Sequence, residues 1–216
     1  MKPPLLLLLL AAFGLSACDL LASDQPGAAQ ASEWAADPDR VTAEALRAAV
    51  KDPDVRRFYE ARNWAAAWDR DRVAELTDAL ARAKRHALDH VPFLPAAAPS
   101  DPAQREAALT KAALGYAKAL SHGLVDPRAL WQIYTVPRPK MDVAAGLKAA
   151  IEQGEVGAWL DSLAPQSEEY QALSAAYLQQ LERLAGTPDI GSGEAIKVGQ
   201  SDPRVPALVQ ALEANG

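Results

Sequence analysis

Cysteine is almost absent from this chain, and that scarcity narrows what it can do. Cys18 is its one thiol among 216 residues. A single thiol excludes a disulfide framework and a cysteine-built zinc site, and it leaves the rest of the chain without a thiol nucleophile. Basic charge is also short: 22 Lys and Arg stand against 28 Asp and Glu, for a net charge of −6. Phosphate binding needs a basic face, so no nucleic acid is expected as a partner. The longest apolar run, residues 5–13, falls short of the roughly 20 residues of a membrane span. Strand signals are nearly missing, and no internal repeat supports a solenoid. What remains is 50% hydrophobic and 23% charged, the balance of a soluble globular protein with one domain or one domain and a small appendage.

The amino terminus is an address. Lys2 supplies a positive start, residues 5–13 an apolar core and Leu15-Ser16-Ala17-Cys18 a small-residue cleavage site, so residues 1–17 read as a signal peptide. Those last four residues resemble the lipobox of bacterial lipoproteins. The resemblance implies cleavage before Cys18, a diacylglyceryl thioether on its sulfur and a further acyl chain on its new amino group. Each buried methylene contributes about 0.8 kcal/mol, and two chains already anchor a protein stably. Asp19 matches the residue that retains enterobacterial lipoproteins at the inner membrane. The expected location is the periplasm, lipid-anchored, at the inner membrane in preference to the outer. Residues 18–32, rich in Ala, Ser, Gln, Asp, Pro and Gly, read as a lipidated flexible tether.

From Glu33 onward the chain reads as helix after helix. Asp52-Pro53, Asp101-Pro102 and Asp126-Pro127 each place a capping carboxylate before a proline. Val55, Phe58 and Tyr59 share a helix face, Asn63 is a left-handed stop, and Trp64 and Trp68 extend the apolar surface, which makes this stretch the expected core nucleus. Val73, Leu76, Leu80, Ala83 and Ala87 line a second face. Leu109, Ala113, Tyr116 and Leu120 line a third that ends at Gly123. Leu147 and Ile151 belong to a helix closing at Gly154, and Val156, Trp159, Leu160 and Leu163 to one stopped before Pro165. The clearest period is Tyr170, Leu173, Tyr177, Leu181 and Leu184. Residues 91–102 and 136–139 are Pro-rich loops.

Three segments, around Phe58 to Trp68, AALGYAKALSHGLVDPRALW from Ala112 and LDSLAPQSEEYQAL from Leu160, together resemble the all-helical scaffold domain of large Gram-negative L,D-transpeptidases. Those enzymes cross-link periplasmic peptidoglycan, and in them the scaffold precedes a peptidoglycan-binding module and a catalytic domain. The stretch IKVGQSDPRVPALVQALEANG from Ile196 resembles the opening helix of that module, with Asp202-Pro203 starting it and Val205, Leu208, Val209 and Leu212 facing inward. The expected fold class is therefore all-α: a multi-helix scaffold domain over residues 33–186, then a linker and partial peptidoglycan-binding-like segment over 187–216.

The family's Ser-His-Gly-Cys nucleophile motif does not occur. Ser121-His122-Gly123 reproduces three of its letters, but Leu124 stands at the cysteine position and the triplet reads as a helix end. His86 and His90, at i and i+4, have a metal-binding spacing, yet Leu88, Asp89 and Pro92 end the helix there, so a surface or loop pair is expected. Asp69, Asp71, Asp78, Glu168 and Glu169 read as helix-start charges and solvated faces, and Gly191-Ser192-Gly193 as a joint. No catalytic residue, metal or cofactor is expected, and Cys18 is the lipid-attachment site. The leading expectation is a non-catalytic periplasmic lipoprotein of the L,D-transpeptidase scaffold type, whose partners are the membrane through its anchor and peptidoglycan or a cell-wall transpeptidase. One alternative is the amino-terminal fragment of a truncated or split L,D-transpeptidase. Another is an unrelated helical envelope-assembly lipoprotein, which would place Trp64 and Trp68 on an exposed groove.

Overall fold

The computed structural model describes residues 31–35, 37–131, 133, 140–186 and 188–215, so the signal peptide, Cys18, the tether up to residue 30 and the 136–139 loop lie outside the described residues, while the tether's last two residues, 31 and 32, are helical. Helices α1 (Ala43–Ala49), α2 (Pro53–Glu60) and α3 (Arg70–Ala81) lead into a 3₁₀ turn, Ala83–His86, and then the long α4 (Pro102–His122). A one-turn α5 (Pro127–Leu130) precedes α6 (Val143–Gln153), α7 (Val156–Leu163), α8 (Glu168–Ala185) and α9 (Val205–Asn215). No strand occurs among the described residues, and none of their helices is long and apolar enough to cross a membrane. The fold is all-α and multi-helical, as expected.

The starts are set by side chains. Asp52 accepts from the backbone N–H groups of Asp54 and Val55, Asp101 from Gln104, and Asp126 from Arg128, each with its proline in the first turn. Asp69 and Asp142 do the same for α3 and α6 without a proline. Each such cap contributes about 1 kcal/mol. Gly123 and Gly154 end α4 and α6 at φ +74° and +71°, where a Cβ would be strained.

Helix α4 is the axis of the domain. It contacts α1, α2, α3, α6 and α7, and Ala103, Ala112, Ala113, Ala117 and Ala119 on its buried positions let those neighbours come close. The aromatic stretch forms the core beside it: Phe58, Tyr59, Trp64 and Trp68 are all buried, with Phe58 edge-on to Tyr59 at 5.0 Å and Tyr59 stacked on Trp64 at 6.2 Å. Asn63 is left-handed, at φ +53°, and so is Trp64, at φ +61°. The second positive φ was not legible, because a bulky residue there is unfavourable. Trp64 is held by its N–H to Tyr59 O, by stacking on Tyr59 and by the Arg47 and Arg56 guanidiniums over its ring at 5.2 and 5.8 Å. Burial of Trp64 and Trp68 contradicts the unrelated-lipoprotein reading, which needed both on an exposed groove.

Three expectations about faces are corrected. Ala87 does not continue the α3 face: the α-helix stops at Ala81, the chain tightens into the 3₁₀ turn, and Ala87 sits exposed at φ +54°. The α8 period marks a helix but not a core, since no residue of α8 is buried and Leu173 is 71% exposed. On α9, Val209 and Leu212 face outward, Leu212 at 63% exposure, while Ala211 is buried. The main packing of α9 among the described residues is against α8, which leaves Val209 and Leu212 exposed. Asp202 and Pro203 form a turn before α9 in which Asp202 accepts from Arg204 N–H.

Candidate functional site

The chemical candidates do not converge. Ser121 Oγ donates to Ala117 O at 2.7 Å and lies 2.7 Å from His122 Nδ1. Its single proton is therefore spent on the helix, and it meets the imidazole as an acceptor, the opposite polarity from an activated nucleophile. Gly123 ends the helix here, as expected. His86 lies in the 3₁₀ turn with Nδ1 2.8 Å from the Tyr170 hydroxyl and its ring stacked on Tyr170, whereas His90 is exposed in a turn beyond it. Asp69 caps α3, Asp71 lies in its first turn, Asp78 is exposed, and Glu168 and Glu169 open α8. Gly191, at φ +70°, lies in an irregular stretch with Ser192 and Gly193. Among the described residues no group of three or more His, Cys, Asp or Glu gathers as a metal site.

Sequence reasoning missed the charge at the centre of the fold. Glu106 on α4 is fully buried. Its Oε1 accepts from the backbone N–H groups of Ala67 and Trp68 and from the Tyr59 hydroxyl, while Trp68 Nε1 donates to Thr110 Oγ1, 2.6 Å from that hydroxyl. Burial pushes the carboxyl up to about 7 despite these donors, and pushes the Tyr59 phenol well above its usual range. Glu106 Oε2 and Arg62 Nε are buried without a partner. This network ties α2 and the 65–69 segment to α4 inside the core. The signal was present: Glu106 shares one helical face with Leu109, Ala113, Tyr116 and Leu120.

The surface feature the fold builds is a groove. The 3₁₀ turn, the end of α4 and the start of α8 meet around the His86 and Tyr170 pair. A cavity of about 420 Å³ on one side of it is lined by Arg85, Asp161, Gln166, Gln171 and Ser174. A second, of about 520 Å³, shares His86, Pro165 and Tyr170 with the first and continues past Leu120, Gly123 and Leu124. Gly123 and Leu124 also border a third that reaches Arg57, Lys118, Met141 and Val143. Two contacts cross the groove's floor: Ser174 Oγ donates to Arg85 O at 2.6 Å, and Arg82 pairs with Asp161 at 2.8 Å. Burial and the Arg85 charge lower the His86 pKa, which favours the neutral ring against Tyr170. Leu124 and Val125, 51% and 55% exposed, form an apolar lip. Apolar lip, polar floor and open ends suit a protein segment lying across the domain better than an enclosed small molecule.

The family model described as Scaffold domain matches residues 53–176, more than half of the chain, running from the first residue of α2 into α8 and taking in the groove's lining except Leu178. No curated protein and no solved structure matches the chain.

Proposed function

The chain belongs to the Scaffold domain family, and on that premise we propose that it is a non-catalytic lipoprotein that positions a cell-wall enzyme at the periplasmic face of the inner membrane. The partner is an L,D-transpeptidase, and its docking place is the groove across the end of α4. The observation that carries this reading is the groove with its exposed Leu124 and Val125, set beside Ala119, Leu120 and Tyr170, which pack into the buried core. A scaffold needs a surface that keeps its shape when unoccupied, because ordering it on binding would subtract from affinity. Anchorage follows from Cys18 and retention from Asp19, as the lipobox resemblance implies. Peptidoglycan is the second expected partner, through the segment around α9.

Incubating the purified protein with sacculi and with an L,D-transpeptidase from the same cell tests the proposal. Saturable association with the transpeptidase that is lost in Leu124→Asp, at unchanged thermal stability, supports it. Absence of association with both overturns it. Recovery of the protein with outer-membrane markers would remove the retention assignment alone.

A further inference from the structure

Arg85 holds the unspent charge of the groove. Its guanidinium lines the cavity beside the His86 and Tyr170 pair without a partner among the described residues, while its backbone carbonyl accepts from Ser174 Oγ at 2.6 Å. Asp161 is the one acidic side chain among the described residues lining the groove's three cavities, and Arg82 pairs with it at 2.8 Å. At the other end, past Leu124, Arg57 and Lys118 share the single carboxylate of Asp54. The groove thus carries surplus positive charge in a chain whose net charge is −6. The neutral groups around Arg85 are oriented to match. Gln166 Nε2 donates to Asp161 O at 3.2 Å and Ala164 O at 2.7 Å, and Gln171 Nε2 to Gln166 O at 3.4 Å. A carbonyl oxygen can only accept, so these bonds engage the NH₂ end of both amides and leave each Oε1 an acceptor without a partner among the described residues. A phenol donates more strongly than an imidazole. With the Tyr170 proton directed at His86 Nδ1, the neutral ring keeps its own proton on Nε2 as a further donor.

We infer that Arg85 binds the carboxylate of an Asp or Glu side chain in the partner segment, so that the segment this domain accepts is acidic where it crosses α8 and apolar where it crosses Leu124. This rests on the docking reading above for the partner's identity and adds the chemistry by which the partner is chosen. The planar fork of arginine takes a carboxylate through two parallel hydrogen bonds, and the two free amide oxygens beside it accept from backbone N–H groups of an extended chain. An acidic side chain within the segment fits better than a chain end, because the groove is open at both ends and the segment runs on past Arg85. The surplus positive charge also selects, since a basic segment would meet repulsion from Arg85 at one end and from Arg57 and Lys118 at the other.

The test titrates the full-length protein against the L,D-transpeptidase of the same cell. Arg85→Gln is expected to weaken binding about tenfold, as the loss of one charge-assisted pair requires, and Arg85→Lys to weaken it less. Lys84→Gln removes the same charge from the adjacent residue, which lines a different cavity, and is expected to leave the affinity unchanged. A second arm needs no partner. N-acetyl-glutamate α-amide is titrated into the full-length protein while NMR follows the Arg85 Nε–H and His86 ring signals, with N-acetyl-glutamine amide as the uncharged control. The glutamate compound is expected to shift both signals, the glutamine compound neither, and Arg85→Gln to abolish the His86 shift. Equal weakening by Arg85→Gln and Lys84→Gln, equal shifts with the two compounds, or no shift with either overturns the inference. An unchanged affinity in Arg85→Gln beside loss of binding in Leu124→Asp also overturns it and leaves the docking reading standing. Shifts specific to glutamate in a protein that does not bind the transpeptidase remove that partner and support the carboxylate site.

Discussion

Replacing Glu106 by glutamine isolates the charge buried at the centre of the domain. The carboxyl lies at about 7 in the folded protein because burial disfavours its charged form, against 4.5 for an ordinary glutamate. Between those values the folded chain keeps a proton that the unfolded chain has released. Stability from this group is therefore complete below about pH 4.5, is lost as the pH rises through 7, and is level beyond that. At 1.36 kcal/mol per unit, the loss is about 3 kcal/mol, or roughly 10 °C in Tm for a domain of this size. Glutamine keeps an oxygen to accept from Ala67, Trp68 and Tyr59 and cannot ionise. Urea unfolding of both proteins from pH 4.5 to 8.5 should show them equal at the acid end and the variant more stable by about 3 kcal/mol at the alkaline end. The difference between the two removes the opposite contribution of carboxylates such as Asp54, whose pKa a hydrogen bond from Lys118 lowers. A difference that does not change with pH, or a variant less stable at pH 8.5, would refute the reasoning.

Other perturbations probe the packing. A Cβ at Gly146 would stand 2.8 Å from the Trp159 ring, so Gly146→Ala should cost about 1 to 3 kcal/mol in urea unfolding by forcing α6 and α7 apart. Asp101→Ala removes the acceptor for Gln104 N–H at the head of α4 and should cost about 1 kcal/mol, with Asp101→Asn close to neutral. Trp68→Phe keeps the buried ring but leaves Thr110 Oγ1 without its 2.8 Å donor, and should cost about 1 to 3 kcal/mol.

Local chemistry was legible where a single residue decides the outcome. The Asp-Pro pairs start α2, α4 and α5 because the cap and the proline act within one turn, and Gly123, Gly154 and Asn63 end segments because each takes up positive φ. Periodicity told less. Leu173 and Leu184 repeat as a core face would, but the period of a sequence says that one side is apolar and nothing about whether this chain covers it. Leu212 fails for the same reason. Glu106 lies on the face of Leu109, Ala113, Tyr116 and Leu120 but one turn before the first of them, where the apolar period has not yet begun. The groove could not be seen at all: residues 83–87, 119–125 and 165–175 are far apart along the chain, and nothing local announces that they meet.

The claim that this protein positions an enzyme without being one is tested by supplying disaccharide-tetrapeptide to the purified protein, alone and with an L,D-transpeptidase, and counting cross-linked muropeptides. The account predicts no cross-links from the protein alone, and a change in the transpeptidase's rate that Leu124→Asp abolishes. Cross-links formed by the protein alone would contradict it.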